Sequence, residues 1–215
     1  MKKIIVVALI CGAFIPEVGT AQPLRGFGVK VALTSSTHSI RSYYDPILPP
    51  TKRRLGFNIG VFAEWFNLPF VSLVTQVEYD QRGYQQGYYG GYVGPNGPVL
   101  SYVNNRIDYL SVPVLAKFKY PSVDPQPYVL IGVRADFKES YHRSIVYDYP
   151  TAPPYSQFKS TMLGATVGTG VTLQRVIPIP LLLELRYNFD FADSFFSGNL
   201  SMRNNAYDLW MGVEL

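Results

Sequence analysis

The sequence predicts an all-β chain folded as an eight-stranded antiparallel up-and-down transmembrane β-barrel. Three regularities carry that expectation. Apolar and polar residues alternate with a period of two over eight segments, the connections between segments alternate long and short, and the rings on the apolar face sort by height.

In order, the segments are 26–34, 55–66, 71–82, 109–120, 128–138, 162–174, 181–191 and 206–215. Each is about the 9 to 11 residues that a tilted strand needs to cross a hydrocarbon layer. The connections 35–54, 83–108, 139–161 and 192–205 are long, and 67–70, 121–127 and 175–180 are short. Short periplasmic turns and long extracellular loops give a barrel that asymmetry, and an even strand count returns both ends to the periplasm.

Which face meets lipid is decided by bulk. The stretch LELRYNFDF separates Leu183, Leu185, Tyr187, Phe189 and Phe191 from Glu184, Arg186, Asn188 and Asp190. Extended over all eight segments, the first face is uncharged and rich in Leu, Val, Ile, Phe and Tyr. The second holds Lys30, Glu64, Glu78, Asp80, Arg82, Lys117, Lys119, Arg134, Asp136, Lys138, Glu184, Arg186, Asp190, Asp208 and Glu214, with Gly28, Gly56, Gly60, Gly132, Gly164, Gly168, Gly170 and Gly212 among them. A soluble lipocalin-like barrel would turn the bulky face inward and overfill an eight-stranded interior. The glycine-rich charged face fits that interior better, so the apolar face is assigned to lipid. Its rings then form two belts, with Phe27, Trp65, Phe118 and Tyr120 at the periplasmic rim and Phe57, Tyr79, Phe137, Phe189, Phe191 and Tyr207 at the outer rim.

The N-terminus reads as a secretory signal peptide, residues 1–21: MKK, an apolar run from Ile4 to Ile15, and small residues Gly19 and Ala21 before the expected cleavage point. The barrel domain is then 22–215, without cysteine. Removing Lys2, Lys3 and Glu17 leaves 17 basic and 14 acidic residues, a balance too mild for nucleic acid.

Three places are candidates for function. The interior charges, Lys30, Glu64, Glu78, Asp80, Lys117, Lys119, Arg134, Asp136, Glu184, Arg186, Asp190, Asp208 and Glu214, form either an ion-paired plug or an ion path; Phe62, Phe66, Tyr109, Leu115, Leu130 and Trp210 are expected to point inward with them, which favours the plug. The loops carry Tyr43, Tyr44, Tyr88, Tyr89, Tyr92, Tyr147 and Tyr149, part of a total of 17 tyrosines, set among glycine and proline in GYYGGYVGPNGP. Flat amphipathic rings among small residues make recognition surfaces. His38 with Ser35, Ser36, Ser39 and Asp45, or His142, would be needed for a lipid-modifying rim enzyme, but such residues are commonplace in polar loops. Catalysis is not expected, and neither a metal nor a cofactor site is.

Several strands together resemble the PorT-like outer-membrane β-barrel family of Bacteroidota: GFGVKVAL from Gly26, GYQQ at Gly83, YLSVPVLAKFKY from Tyr109, PYVLIGVRADF from Pro127, GATVGTGV from Gly164, and LELRYNFDF. The resemblance covers nearly the whole mature chain, although Leu215 stands where many barrels end in Phe or Trp. It implies an eight-stranded barrel in the Gram-negative outer membrane, with some members serving protein secretion or gliding. The expected function is that of an outer-membrane barrel acting through its long loops as a binding or envelope-complex component. The alternatives are a narrow pore and the rim enzyme. Expected partners are outer-membrane lipid and envelope or secretion proteins, with the barrel itself monomeric.

Overall fold

Among the described residues the chain forms nine antiparallel strands: β1 Leu24–Ser42, β2 Thr51–Trp65, β3 Val71–Gly94, β4 Gly97–Lys119, β5 Gln126–Ser144, β6 Thr161–Leu173, β7 Leu181–Asp190, β8 Phe195–Ser197 and β9 Leu200–Glu214. The structure is a computed structural model, and it describes residues 24–42, 51–66, 68–94, 97–120, 124–144, 158–174, 179–197 and 200–215. The leader 1–21 and the loop tyrosines Tyr43, Tyr44, Tyr147 and Tyr149 lie outside the described residues. Tyr88, Tyr89 and Tyr92 lie on the β3 backbone, with side chains outside the described set.

Eight of the strands close a ring in the order β1 to β7 and then β9, and β9 pairs back onto β1. Closure leaves no open edge in the ring, the condition hydrocarbon imposes because an unpaired N–H or C=O there costs several kcal/mol. The extra strand, β8, is a three-residue hook outside the ring that pairs with the start of β9 and bridges to Phe158 through Phe195. Passed from partner to partner through Gly26, Glu64, Val74, Leu115, Gly132, Thr166, Asn188 and Ala206, the ladder re-enters β1 at Ser36, ten residues beyond Gly26. That stagger corresponds to strands tilted by roughly 40°, and to an interior just wide enough for side chains.

Apolar side chains face outward around the ring. Val31, Ile59, Ile131, Leu185 and Leu209 are each about half exposed or more, whereas Lys30, Glu64, Asp136, Arg186 and Asp208 are buried. The outer belt of rings is continuous in places: Tyr187 lies 4.9 Å from Tyr207 and 5.8 Å from Phe189, and Phe57 lies 6.1 Å from Tyr79.

Inside, large and absent side chains alternate across the ladders. Gly28 faces Phe62, Gly60 faces Glu78, Gly132 faces Leu115, Gly164 faces Arg134, Gly168 faces Arg186, Gly170 faces Tyr128 and Gly212 faces Lys30. Each glycine leaves the space into which its partner folds. A Cβ on Gly170 would stand 2.6 Å from the Tyr128 ring and 2.6 Å from the Leu183 carbonyl oxygen. Gly170→Leu is therefore expected to destabilise the barrel by about 1–3 kcal/mol, read as a lower urea midpoint in lipid vesicles; an unchanged midpoint would contradict this packing.

The extracellular ends depart from expectation. The connection 83–108 was expected as a loop, but β3 and β4 run through it as one ribbon, paired out to Gly94 and Gly97. β1 likewise extends to Ser42 and β5 to Ser144. Above the membrane, backbone pairing continues while lipid no longer demands an apolar outer face, so the alternation fades before the strand does. Phe66 is a second correction. It follows the last residue of β2 with a φ of 63°, and it is exposed rather than directed inward.

Candidate functional site: the barrel interior and its extracellular cap

The interior is a stack of layers. At the periplasmic end Glu64 accepts hydrogen bonds from Lys117 Nζ at 2.8 Å, Lys119 Nζ at 3.1 Å and Ser72 Oγ at 2.7 Å, and pairs with Arg25. Three cations surround one carboxylate. Glu214 borders the same mouth, half-buried, with its carboxylate beside Gly26. Above lies an apolar layer of Phe62, Val74, Leu115, Leu130 and Leu182.

The next layer centres on Glu184, which accepts from Lys30 Nζ at 3.2 Å, Tyr128 Oη at 3.0 Å and Arg186 Nε at 2.8 Å. Arg186 reaches on to Gln76 at 2.9 Å and Glu78 at 3.1 Å, and its guanidinium lies 5.0 Å from the Trp210 ring. Asp208 accepts from Thr34 and, at 2.5 Å, from Asn188 Nδ2.

Higher still, Arg82 donates to Asp80 and to Asp136, the latter at 2.6 Å. Arg134 pairs with Asp190 at 2.5 Å and with Asp136 at 3.1 Å, and Ser111 Oγ donates to Asp136 at 2.7 Å. Buried charges are tolerated only where partners of this quality meet them. Two arginines here hold three carboxylates, with no water-facing side chain among the five.

An apolar cap covers the charges. Tyr84, Ile107, Tyr109, Phe158, Phe195 and Met202 form one buried cluster, with Phe158 and Phe195 rings 5.3 Å apart. The two phenylalanines arrive from outside the ring, joined by a single bridge and held by Lys159 N donating to Ser194 O at 2.9 Å and Ser194 N donating to Met202 O at 2.7 Å. Lys138 Nζ donates to the Phe158 carbonyl at 2.6 Å.

His38 lies under this cap rather than in a loop. It is on the inner side of β1, fully buried, its ring 4.8 Å from Tyr84. Its outward chain neighbours Thr37 and Ser39 are polar, so it stands above the hydrocarbon band. Burial, reinforced by the Arg82 charge, pushes its pKa down to about 3, far below the range of a general base at neutral pH. Ser36 Oγ is engaged with the backbone N and O of Gly83, at 2.8 and 3.0 Å, and neither ring nitrogen of His38 has a hydrogen-bond partner among the described residues. His142 is exposed on the outer wall, 3.2 Å from Arg106. The residues singled out for a rim enzyme therefore do not assemble a nucleophile and base among the described residues; Asp45 lies outside them.

Sequence reasoning overlooked part of the network. Gln76, Ser111 and Thr34 share the inner face by parity and were legible as such, though uncharged. Arg25 precedes the expected first strand. Phe158 and Phe195 carried no signal, because a residue in an irregular segment has no period to place it.

A family model described as outer membrane protein beta-barrel domain matches residues 21–195. No curated protein matches the chain. Solved structures similar to it include Neisserial surface protein A, 17% identical with a TM-score of 0.46, covering 88% of this chain and 97% of that one. The outer membrane protein OprG from Pseudomonas aeruginosa is 11% identical with a TM-score of 0.48, covering 90% and 97% respectively. Ail, the attachment invasion locus protein of Yersinia pestis, in complex with the heparin analogue sucrose octasulfate, is 12% identical with a TM-score of 0.43, covering 88% and 98%. Ring closure, the apolar outer wall and the family match together locate the protein in the outer membrane, and the chain belongs to the outer membrane protein beta-barrel domain family.

Proposed function

We propose that the barrel is a closed scaffold that works through its extracellular extension, binding a partner protein of the cell envelope as part of an envelope or secretion-linked complex of the PorT-like kind. On this reading residues 1–21 direct export and 22–215 form the barrel, which is monomeric in the membrane and needs no cofactor. The observation that carries the proposal is the contrast between a lumen filled from Glu64 to Phe195 and a ribbon that outruns the ring. Among the described residues β2 pairs with β3 as far as Gln86, and β5 joins β4 from Asn104 downward. From Gly87 to Gly94 and from Gly97 to Val103 the two strands pair with each other alone among the described residues. Tyr88, Tyr89 and Tyr92 ride on that ribbon, and in the sequence Tyr43 and Tyr44 follow β1 and Tyr147 and Tyr149 follow β5. Tyrosine on a backbone already ordered as a β-ribbon offers contact area at little entropic cost.

Two measurements test this. Affinity purification from native envelopes is expected to recover the same partner reproducibly with the intact chain, and to lose it when residues 87–103 are replaced by a two-residue turn that leaves the heat-dependent electrophoretic mobility of the folded barrel intact. Identical recovery from both forms would refute the ribbon as the binding element. In planar bilayers the intact protein is expected to give no discrete current steps, since the paired side chains and the aromatic cap block the axis; a steady conductance altered by neutralising Arg134 or Glu184 would favour the narrow pore instead.

A further inference from the structure

The outer wall changes character just above the outer ring of aromatics. On β1 the outward series runs Phe27, Val29, Val31 and Leu33, then Ser35, Thr37, Ser39 and Arg41; on β2 the same boundary falls between Leu55 and Arg53. Arg53 sits on it. Its guanidinium lies 4.6 Å over the Tyr207 ring, and it donates to Ser35 Oγ at 3.0 Å, to the Ser35 carbonyl at 2.5 Å and to Asn205 Oδ1 at 3.3 Å. All these acceptors are neutral, so the geometry fixes the side chain without cancelling its charge.

Beside it, across β3, two more arginines share one carboxylate. Arg106 Nη2 donates to Asp108 Oδ2 at 3.0 Å and meets His142 Nδ1 at 3.2 Å. Arg54 is half-buried in the field of the same Arg106 and Asp108, and its pKa is pushed below the ordinary arginine value by burial first and by Arg106 second. Arg54 Nε and Nη1 and Arg106 Nε are buried without a hydrogen-bond partner among the described residues. Gly83, the β3 partner of Arg106, has no side chain to separate the groups. Arg54 and Arg106 thus share one acid, with donors left over, and Arg53 adds an uncancelled charge from the neighbouring position on β2, at the height where the hydrocarbon gives way to headgroups.

We propose that Arg53, Arg54 and Arg106 form a docking site on the outside of the barrel for the phosphate groups of an anionic glycolipid of the outer leaflet. The fork of a guanidinium matches phosphate oxygens in pairs, and partial burial strengthens each such bond. The wall immediately below supplies the second half of the recognition. Leu33, Leu55, Phe57 and Ile59 are 69%, 77%, 51% and 51% exposed and form an apolar strip on which the acyl chains of the same molecule lie. A free phosphate ion would use only the upper half. The inference rests on the outer-membrane location and is independent of the ribbon's role.

The test uses the full-length barrel refolded in detergent micelles and titrated with diphosphoryl lipid A, with the same glycolipid after removal of its phosphates, and with inorganic phosphate as competitor. The phosphorylated form is expected to bind about tenfold more tightly than the dephosphorylated one. In the variant R53Q/R54Q/R106Q that preference is expected to vanish, and in R53K/R54K/R106K to survive in part. R53Q alone, which breaks only surface bonds to neutral acceptors, is expected to reduce the preference while the mobility of the folded barrel is unchanged, so the outcome does not hinge on the triple variant folding. Equal binding of the two glycolipids to the parent protein would overturn the proposal. So would a preference that persists in folded R53Q/R54Q/R106Q, or displacement of the glycolipid by millimolar inorganic phosphate.

Discussion

Arg82→Ala is expected to be the most damaging single substitution in the lumen, lowering stability by about 3–5 kcal/mol. The guanidinium is fully enclosed, donates to Asp80 and Asp136, and stands 3.9 Å from Asp190. Its removal strands carboxylates where water cannot reach them. Against a typical total of roughly 5–15 kcal/mol this is enough to prevent stable folding at modest denaturant. Urea titration in lipid vesicles, followed by tryptophan fluorescence, checks the magnitude. The triple change Arg82→Met with Asp80→Asn and Asp136→Asn removes the charges together and is expected to recover most of the loss, since a buried ion pair contributes little beyond what an uncharged replacement supplies. A loss under about 1 kcal/mol for the single variant would mean that the layer is hydrated and the charges are solvated individually.

Ile131→Arg is expected to cost about 2–4 kcal/mol in a bilayer, whereas Leu55→Arg at the outer rim costs about 0–1 kcal/mol. Both side chains point outward and both are exposed, at 51% and 77%. They differ in depth. Ile131 pairs with Ala116 and Val167, between Val129 and Val133 on the apolar outer face of β5, while Leu55 pairs with Ser35, where the wall turns polar. A depth-dependent penalty is a property of lipid alone, because a water-facing surface would accept either arginine at almost no cost. Equal effects at the two positions, measured by the same vesicle unfolding assay, would remove the membrane from the account of this wall.

The sequence was legible wherever two solvents imposed opposite demands on neighbouring residues. At the periplasmic ends, the strand limits expected at Phe66, Val71, Tyr120, Gln174 and Leu181 fall within a residue of Trp65, Val71, Lys119, Leu173 and Leu181 in the structure. The extracellular ends were misjudged by up to a dozen residues. There the ribbon of β3 and β4 is held by backbone bonds, and the residues Gly87, Gly90 and Gly91 read equally as loop. The interior charges were legible by parity, since a charged residue every second position in an apolar strand has only one place to go. Their pairing was not. Which acid meets Arg186 depends on the ten-residue stagger, and that emerges only when the ring closes. The cap of Phe158 and Phe195 was invisible for the same reason, because it depends on where two irregular segments land.

The opposition of glycines and bulky side chains also acts as a ruler for assembly. The smallest slip that keeps every face correct is two residues. Between β5 and β6, such a slip would set Gly132 against Gly164 or Gly168, opening a hole, and would drive Arg134 against Met162 or Thr166, where it has no room. The wrong alignments are thus penalised by voids and collisions together, even though the backbone bonds would be equally numerous. Divergence in the lumen should accordingly come in couples, a gain of volume on one strand matched by a loss directly across from it.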